Sequence, residues 1–368
     1  MKEEAKIIIS GGGTGGHIFP AVAIANAIKR NYPKTHILFI GAQHRMEMQR
    51  IPAAGYEIKG LPISGFDRKH LWHNVMVLGK LLKSLWIAHT VIRKFKPDVV
   101  VGVGGFASGP TLKVASWMHI PTLLQEQNSY AGVTNKLLAK KAATICVAYK
   151  GMEKFFSPNK IVLTGNPVRK ELLLNALSKE EARREYHFDL SRPMVLLVGG
   201  SLGARSLNNC MMRNLQKMKN SNVQFLWQCG QIYYEEAKKA LEKAGMPDNI
   251  LLTDFISDMN TAYSAADLVI SRAGAGSISE FCLLGKPTIL VPSPNVAEDH
   301  QTKNAMALVS KGAALYVKDN EIDKKLIDLA ILTVGQNDTL RRLSNNIKEM
   351  AFLQSDEKIA QEVFKLLK

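Results

Sequence analysis

The length, composition and charge of the chain exclude some classes of protein before any motif is considered. It has 368 residues, enough for two domains, and 46% of them are hydrophobic, which supplies buried cores and excludes an intrinsically disordered chain. The 48 Lys and Arg residues outnumber the 32 Asp and Glu residues, and the formal net charge of +16 favours an anionic partner such as nucleic acid, anionic lipid or a phosphorylated substrate.

The first half of the chain predicts a parallel sheet with helices on both faces. Apolar runs of strand length alternate with amphipathic helical stretches such as residues 20–30. Because continuous Val, Ile and Leu runs are typical of strands buried on both faces, they indicate a doubly wound α/β domain. The predicted strands are residues 5–9, 36–40, 99–103, 122–124, 144–147 and 161–163.

The second half repeats the order of strand, glycine loop and helix, which predicts a second Rossmann-like domain. Its predicted strands are residues 193–198, 223–227, 250–252, 268–270, 288–291 and 314–317. We expect the join near residues 165–167, which gives domains over 1–165 and 166–345. A last helix is predicted over about 340–368. The sequence does not assign it to a domain, and packing of residues 346–368 against the N-terminal domain is one of the arrangements it allows.

A glycine-rich loop joins the first predicted strand to the first predicted helix. Residues 10–17 read Ser-Gly-Gly-Gly-Thr-Gly-Gly-His, and glycines in this place let backbone N–H groups approach phosphate oxygens. Gly11, Gly13 and Gly16 also satisfy the dinucleotide-binding pattern, which needs an acid at the end of the second strand. Residues 40–43 end that strand without an acid, and no Gly-Lys-Ser/Thr closes a Walker loop.

Two further glycine loops have the same placement in the second half. Residues 199–204 and 272–277 each follow a predicted strand and open a predicted helix. In open α/β sheets ligands bind at the carboxyl ends of the strands. We therefore expect a phosphate-bearing ligand in a central cleft that the two domains face.

Short motifs extend from one end of the chain to the other. Residues 12–21 read Gly-Gly-Thr-Gly-Gly-His-Ile-Phe-Pro-Ala, and further motifs follow in the segments 102–110, 125–128, 165–169, 199–204, 272–275, 279–280 and 300–301. In order and spacing they resemble glycosyltransferase family 28, and within it the MurG family of UDP-N-acetylglucosamine (UDP-GlcNAc) transferases. The resemblance implies a GT-B fold and an inverting reaction. It also implies transfer of GlcNAc from UDP-GlcNAc to the C4 hydroxyl of undecaprenyl-diphospho-MurNAc-pentapeptide, the step from lipid I to lipid II in peptidoglycan synthesis.

The resemblance assigns substrate-binding roles to individual residues. Arg169 becomes the cation for the leaving diphosphate, and Ser201 a hydroxyl donor to phosphate. Ile256 is expected to meet uracil through its backbone. The remaining candidates contact phosphates, line the donor or hold sugar and ribose hydroxyls, and they are Thr14, Gly15, Gly16, Asn128, Ala275, Gly276, Ser277, Ile278, Ser279, Glu280 and Gln301.

Two residues are candidates for the base that accepts the proton of the acceptor hydroxyl. His17 stands at the end of the first glycine loop, and histidine titrates in the range that suits proton transfer near neutrality. Glu126 is the alternative. Since the sequence has no Asp-x-Asp motif, we expect no metal and no cofactor, with helix N-termini and a cation stabilising the diphosphate.

A basic segment over residues 68–97 predicts contact with an anionic membrane surface. It has seven Lys or Arg residues, no acid, and interleaved Leu, Val and Trp residues, which is typical of an amphipathic helix at a bilayer surface. An ordinary core-packed helix with a charged outer face is the alternative. Because the resemblance also implies a lipid-linked acceptor, we expect a peripheral protein on the cytoplasmic face of the bacterial inner membrane.

Other features of the sequence are evidence against a secreted, a membrane-spanning or a nucleic-acid-binding protein. The four cysteines are widely spaced, as in buried reduced thiols of cytosolic proteins, and the charged start leads straight into a strand, so no signal peptide is expected. No apolar run of about 18 residues predicts a membrane span. No nucleic-acid-binding motif accompanies the basic charge. The weaker alternatives are an NAD-dependent oxidoreductase and a GT-B transferase with another lipid acceptor.

Overall fold

A computed structural model describes residues 4–65, 73–168, 172, 177–200 and 202–367, without the side chains of residues 73–75 and 297. The chain divides into two compact units. Unit 1 comprises Met1–Arg169 and Phe352–Lys368, and unit 2 comprises Lys170–Ala351.

Unit 1 is built on a parallel sheet that has seven strands among the described residues, in the order β3-β2-β1-β4-β5-β6-β7. The strand order reverses between β1 and β4, which is the point where doubly wound folds bind ligands. The strands are β1 Lys6–Ser10, β2 His36–Ala42, β3 Glu57–Leu61, β4 Val99–Gly102, β5 Thr122–Glu126, β6 Thr144–Val147 and β7 Ile161–Leu163. The helices between them are α1 Gly15–Asn31, α2 Glu47–Ala53, α3 His73–Phe95, α4 Ser108–Trp117 and α5 Val133–Ala139, with 3₁₀ turns at Met152–Lys154 and Pro158–Lys160.

The continuous apolar strands of unit 1 are explained by the cores on both faces of the sheet. Ile7 and Ile9 pack with Ile24 of α1 on one face. Ile8 points to the opposite face and packs with Leu112 of α4. Because successive strand residues alternate between two buried faces, every position of the strand interior is apolar.

Unit 2 repeats this plan with a parallel sheet of six strands among its described residues, in the order β10-β9-β8-β11-β12-β13. The strand order reverses between β8 and β11. The strands are β8 Met194–Val198, β9 Gln224–Gln228, β10 Ile250–Thr253, β11 Leu268–Ser271, β12 Thr288–Leu290 and β13 Leu315–Tyr316.

The helices of unit 2 cover its sheet. They are α6 Lys179–Glu185, α7 Arg205–Arg213, α8 Leu215–Lys219, α9 Tyr234–Lys243, α10 Met259–Ala265, α11 Ala275–Leu284, α12 His300–Val309, α13 Ile322–Val334 and α14 Asn337–Lys348. Short 3₁₀ turns lie at Gln231–Tyr233, Ala297–Asp299 and Asp319–Glu321. Helix α15, Ser355–Lys365, returns to unit 1.

The two doubly wound α/β sheets predicted from the sequence are confirmed, and three local features differ. Strand β3 was not predicted because it is an edge strand with alternating exposure rather than an apolar run. Helix α1 begins at Gly15 and contains Pro20, so the end of the glycine loop is already helical. The single helix predicted over 340–368 is two helices, α14 and α15, and the left-handed backbone of Gln354 precedes the second one.

Helix α15 packs against α1 of unit 1. The Phe364 ring stacks on Tyr32 with 3.3 Å between ring centroids, and Ile359 and Val363 are buried in the same core. At the other end of α15, Arg30 contacts Asp356 at 2.6 Å. Because Arg30 is substantially exposed, this ion pair contributes little, and apolar burial holds the helix in place.

We predict that Phe364→Ala lowers the free energy of unfolding by about 3 kcal/mol, since it removes a buried ring and leaves a cavity between α15 and α1. The exposed Gln361 of the same helix provides a control, and Gln361→Ala is expected to change stability by less than about 0.5 kcal/mol. Urea denaturation of the full chain measures both. Equal effects of the two substitutions would contradict the packing of this helix.

Candidate active site

Two glycine loops of unit 1 meet at the carboxyl edge of its sheet. One follows β1 and the other, which contains Gly104 and Gly105, follows β4. A Cβ atom at Gly105 would overlap the carbonyl oxygen of Gly12, and one at Gly11 would overlap the Val103 side chain. Glycine therefore allows the two loop backbones to lie in direct contact at the strand-order reversal.

His17 lies in the first turn of α1, and it contacts both loops. Its Nδ1 atom lies 3.2 Å from the hydroxyl oxygen of Thr14. A Cβ atom at Gly104 would lie 2.9 Å from His17 Nε2, so the imidazole packs directly on the second loop. The ring and Gly15 are half-buried, and Thr14 and Gly16 are exposed. The structure thus brings these four predicted residues together on an accessible surface of unit 1.

A buried hydroxyl network fixes both loops to the sheet. Ser108 Oγ lies 2.7 Å from the carbonyl oxygen of Ser10 and 2.9 Å from that of Gly104. Ser10 Oγ lies 3.0 Å from the carbonyl oxygen of Ile40 and 3.1 Å from the hydroxyl oxygen of Thr111. Since buried hydroxyl groups that find partners rigidify their surroundings, this network holds the ends of β1 and β4 in one arrangement.

Glu126 ends strand β5 as a buried hydrogen-bond acceptor with 2% of its surface exposed. One carboxylate oxygen accepts from the backbone N–H of Asn128 at 3.1 Å and from its side-chain amide at 3.2 Å. The other oxygen accepts from the backbone N–H of Gly132 at 3.0 Å and from the side-chain amide of Asn135 at 2.8 Å. Burial raises the pKa of the Glu126 carboxyl, and these hydrogen bonds oppose the rise.

The residues on either side of Glu126 connect three loops of unit 1. Gln125 donates to the side chain of Asn166 at 3.0 Å, and Asn166 donates to the carbonyl oxygen of Gln127 at 3.0 Å. Gln127 in turn donates to the carbonyl oxygen of Val103 at 2.8 Å. The sequence motifs over 125–128 and 165–169 therefore meet, which their separate positions in the chain did not indicate.

Two predicted substrate-binding residues, Arg169 and Ser201, lie outside the described residues. Asn128, a third, is half-buried beside Glu126, where its side chain serves the carboxylate.

In unit 2 the loop after β8 forms a tight turn. The N–H group of Gly203 donates to the carbonyl oxygen of Gly200 at 2.9 Å, and a Cβ atom at Gly203 would overlap the carbonyl oxygen of Cys229. A Cβ atom at Gly200 would meet no described atom within 4 Å. Gly203 thus packs against the residue that follows β9, whereas the space beside Gly200 is open.

Arg272, at the end of β11, organises the same edge of unit 2. Its guanidinium donates to Asp319 at 2.6 Å and to the hydroxyl of Ser206 at 2.6 Å. It also donates to the carbonyl oxygens of Val291 at 3.1 Å and Pro292 at 3.2 Å. Arg272 lies in one of the sequence motifs, which gave it no individual role. It connects the end of β11 to α7, to the loop after β12 and to the 3₁₀ turn Asp319–Glu321.

Helix α11 begins at Ala275, three residues after this arginine. Ala275, Gly276 and Ser277 are half-buried, and a Cβ atom at Gly276 would meet no described atom within 4 Å. The N–H groups of a first helical turn lack intrahelical acceptors, so an open first turn is suited to an anion.

The other candidates in unit 2 have different surroundings. Glu280 is half-buried and accepts a hydrogen bond from the Tyr263 hydroxyl at 3.0 Å. Ser279 Oγ donates to the carbonyl oxygen of Ala275 at 2.9 Å, and Ile278 is buried in the core. The Ser279 hydroxyl thus bonds to the backbone of its own helix, and the Ile278 side chain belongs to the core.

Two further predicted residues lie on separate elements of unit 2. Ile256, just after β10, is buried. Gln301, in the first turn of α12, accepts a hydrogen bond from the backbone N–H of Ser293 at 2.8 Å. Its side chain thus connects α12 to the loop that follows β12.

The cysteines are free and buried, and the described acidic residues form no metal-binding group. All four cysteines are buried, and burial raises the pKa of Cys229 to about 11, which keeps it a thiol near neutrality. Within the described residues, no group of three or more His, Cys, Asp or Glu side chains is arranged to hold a metal ion.

Comparisons with known proteins agree with this architecture. Residues 7–147 match the glycosyltransferase family 28 N-terminal domain, and residues 194–363 match the family 28 C-terminal domain. A relative from Phocaeicola vulgatus is 65% identical over 100% of this chain and 97% of its own length. One from Bacteroides fragilis is 61% identical over 98% of this chain and 95% of its own length. Both are named UDP-N-acetylglucosamine–N-acetylmuramyl-(pentapeptide) pyrophosphoryl-undecaprenol N-acetylglucosamine transferase.

A solved structure of similar fold is that of Acinetobacter baumannii MurG. It is 27% identical to this chain, with a TM-score of 0.78 over 98% of this chain and 99% of that one. The two parallel-sheet units and this similarity confirm the predicted GT-B fold. The chain belongs to glycosyltransferase family 28.

Proposed function

We propose that the chain transfers GlcNAc from UDP-GlcNAc to the C4 hydroxyl of undecaprenyl-diphospho-MurNAc-pentapeptide, which converts lipid I to lipid II in peptidoglycan synthesis. The observation that carries this proposal is the 65% identity, over the whole chain, to a relative named for that transfer. The glycine loops at the strand-order reversals of both units supply the backbone N–H groups that diphosphate substrates require.

Unit 2 is the proposed donor-binding unit. The open first turn of α11 faces the diphosphate with its unpaired N–H groups, and its helix dipole stabilises the negative charge of the leaving group. Arg169 and Ser201 add a cation and a hydroxyl donor. Glu280 accepts from ribose hydroxyls, and Gln301 holds a sugar hydroxyl. Uracil is read through the backbone of Ile256.

His17 is the proposed base, and its surroundings favour it over Glu126. Its imidazole is half-buried on the accessible side of the glycine loops of unit 1, and contacts with Thr14 and Gly104 orient the ring. Both oxygens of Glu126 already accept hydrogen bonds inside the protein. A base must offer a lone pair to the substrate proton, and His17 has the more suitable position.

We predict that His17→Ala lowers kcat for GlcNAc transfer by roughly 10²–10⁴-fold, because general-base catalysis contributes about that factor. The KM for UDP-GlcNAc should stay close to that of the unmodified enzyme. His36, an exposed histidine at the start of β2, provides the control, and His36→Ala should leave kcat near its original value. Near-normal turnover of His17→Ala would remove His17 as the base.

Glu126→Gln tests the alternative base. We predict that it lowers the free energy of unfolding by about 2 kcal/mol, since the new NH₂ group would face a donor in place of an acceptor. Thermal denaturation measures this loss, and turnover is assayed well below the midpoint. A Glu126→Gln variant with normal stability and no turnover would make Glu126 the base instead.

The diphosphate is proposed to leave without a metal ion, because the sequence has no Asp-x-Asp motif. We predict that EDTA leaves the initial rate of transfer nearly unchanged, and that added Mg²⁺ does not increase it. A radiolabelled transfer assay with a lipid I analogue measures both rates. Complete loss of turnover in EDTA, restored only by a divalent ion, would contradict this part of the proposal.

Helix α3 is the proposed contact with an anionic membrane on the cytoplasmic face of the bacterial inner membrane. Leu78, Leu82 and Trp86, four residues apart, form one stripe and are 53%, 62% and 69% exposed. Lys80 and Lys83 are exposed beside it. The opposite side of α3 packs in the core of unit 1. An exposed apolar stripe with flanking lysines suits the surface of an anionic bilayer.

Among the described residues, no helix has both the length and the apolar character to cross a membrane. The proposed association of α3 is therefore peripheral, with the apolar stripe at the level of the lipid headgroups.

We predict that the double substitution Lys80→Glu and Lys83→Glu weakens binding to phosphatidylglycerol-containing vesicles at least about tenfold, since each lysine near such a surface contributes about 1 kcal/mol. Lys238→Glu with Lys239→Glu makes the same change in net charge on the exposed side of α9 and should have a smaller effect. Vesicle co-sedimentation at fixed ionic strength measures both. Equal weakening by the two pairs would contradict a specific role of α3.

A further inference from the structure

Glu47, the first residue of α2, is completely buried although it is acidic. Its Oε2 atom accepts a hydrogen bond from the backbone N–H of Gly13 at 2.9 Å. Its Oε1 atom accepts from the backbone N–H of Ala42, at the end of β2, at 3.0 Å. One buried carboxylate therefore joins the first glycine loop to the end of the neighbouring strand, through two hydrogen bonds of the strong, charge-assisted kind.

The backbone around Glu47 is shaped to admit this carboxylate. A Cβ atom at Gly12 would overlap Glu47 Oε1, and one at Gly41 would lie 2.6 Å from Glu47 Cγ. Gly12 and Gly13 have φ angles of 145° and 89°, which other residues rarely adopt. Two glycines thus make room for the side chain, and the loop conformation that presents the Gly13 N–H group is one that glycine supplies.

The segment held by Glu47 leads directly into the proposed base. Thr14 follows Gly13, and its hydroxyl oxygen lies 3.2 Å from the Nδ1 atom of His17. A shift of the Gly13 backbone is carried to Thr14 and to the start of α1. No hydrogen bond between Glu47 and the imidazole is needed for this effect, because it acts through the chain itself.

We propose that Glu47 is a positioning residue for the transfer reaction: by accepting the Gly13 and Ala42 N–H groups, its carboxylate fixes the glycine loop that places Thr14 and His17. This assignment rests on the proposed function, in which His17 is the base. Glu47 is buried away from solvent and touches no reacting group, so its contribution is geometric.

Only a carboxylate of this length serves both bonds. Glutamine has one acceptor oxygen, and its NH₂ group would face a backbone N–H donor at either Gly13 or Ala42. Aspartate is one methylene shorter and cannot span the same two groups without moving α2. Glu47→Gln is therefore the more informative substitution, because it retains the shape of the side chain and removes one hydrogen bond.

Asp98 provides a matched control at the opposite end of β1. Its carboxylate accepts from the backbone N–H of Lys6 at 2.8 Å, so Asp98→Asn also neutralises an acid that holds this strand. Asp98 lies at the amino edge of the sheet, away from the glycine loops.

The experiment measures each variant of the full chain in two ways. Hydrogen exchange reports the protection of the Gly13 amide, and steady-state kinetics with UDP-GlcNAc and a lipid I analogue separates kcat from KM. For Glu47→Gln we expect faster Gly13 exchange and a kcat lower by up to about a hundredfold, the scale expected for a misplaced catalytic group, with little change in the KM for UDP-GlcNAc. For Asp98→Asn we expect Gly13 protection and kcat close to those of the unmodified enzyme.

The two readouts separate the possible failures. Unchanged Gly13 exchange and unchanged kcat in folded Glu47→Gln would overturn the proposal, as would equal losses of kcat in both variants. If the unmodified protein transfers no GlcNAc, the proposed function fails. In that case Gly13 exchange still decides whether Glu47 holds the loop. A Glu47→Gln variant with faster Gly13 exchange but normal kcat would overturn the link between the loop and catalysis.

Discussion

The backbone contact between Gly12 and Gly105 is the constraint on which the candidate site of unit 1 depends. Any side chain at position 105 would overlap the Gly12 carbonyl oxygen, so the two loops can meet only through glycine. Their contact brings polar backbone groups together at one edge of the sheet, and buried groups of this kind must find partners. The Ser108 hydroxyl donates to the Gly104 carbonyl oxygen of one loop, and the Glu47 carboxylate accepts from the Gly13 N–H group of the other.

In unit 2 a cationic side chain is the hydrogen-bond partner of backbone groups at the edge of the sheet. At the corresponding edge lie the carbonyl oxygens of the buried residues Val291 and Pro292, and the guanidinium of Arg272 donates to both. The remaining donors of Arg272 reach Ser206 and Asp319. In unit 1 a buried carboxylate accepts from two backbone N–H groups, and in unit 2 a guanidinium donates to two backbone carbonyl groups. Each choice follows from hydrogen-bonding chemistry.

The fold could be predicted from the sequence further than the site could. Apolar runs such as Val99–Gly102 are readable because burial on both sheet faces removes polar residues from the strand. Strand β3 lacks that signal, since an edge strand has one exposed side. Among the site residues, the glycine loops and His17 were found from local patterns. Glu47 and Arg272 were not assigned roles, because their partners are backbone groups that come close only after folding.

The contrast between Glu126 and His17 shows why residue type alone does not assign a role. Both occur in motifs at the carboxyl edge of one sheet, and either side chain can accept a proton. Glu126 is buried, and four donors from its own unit occupy its two oxygens. Moving it toward a substrate would leave those donors unsatisfied in a low-dielectric interior, a cost comparable to the loss of several hydrogen bonds. His17 is half-buried in the first turn of α1, on the accessible side of the glycine loops, so a substrate hydroxyl can approach it without any movement of a buried acid.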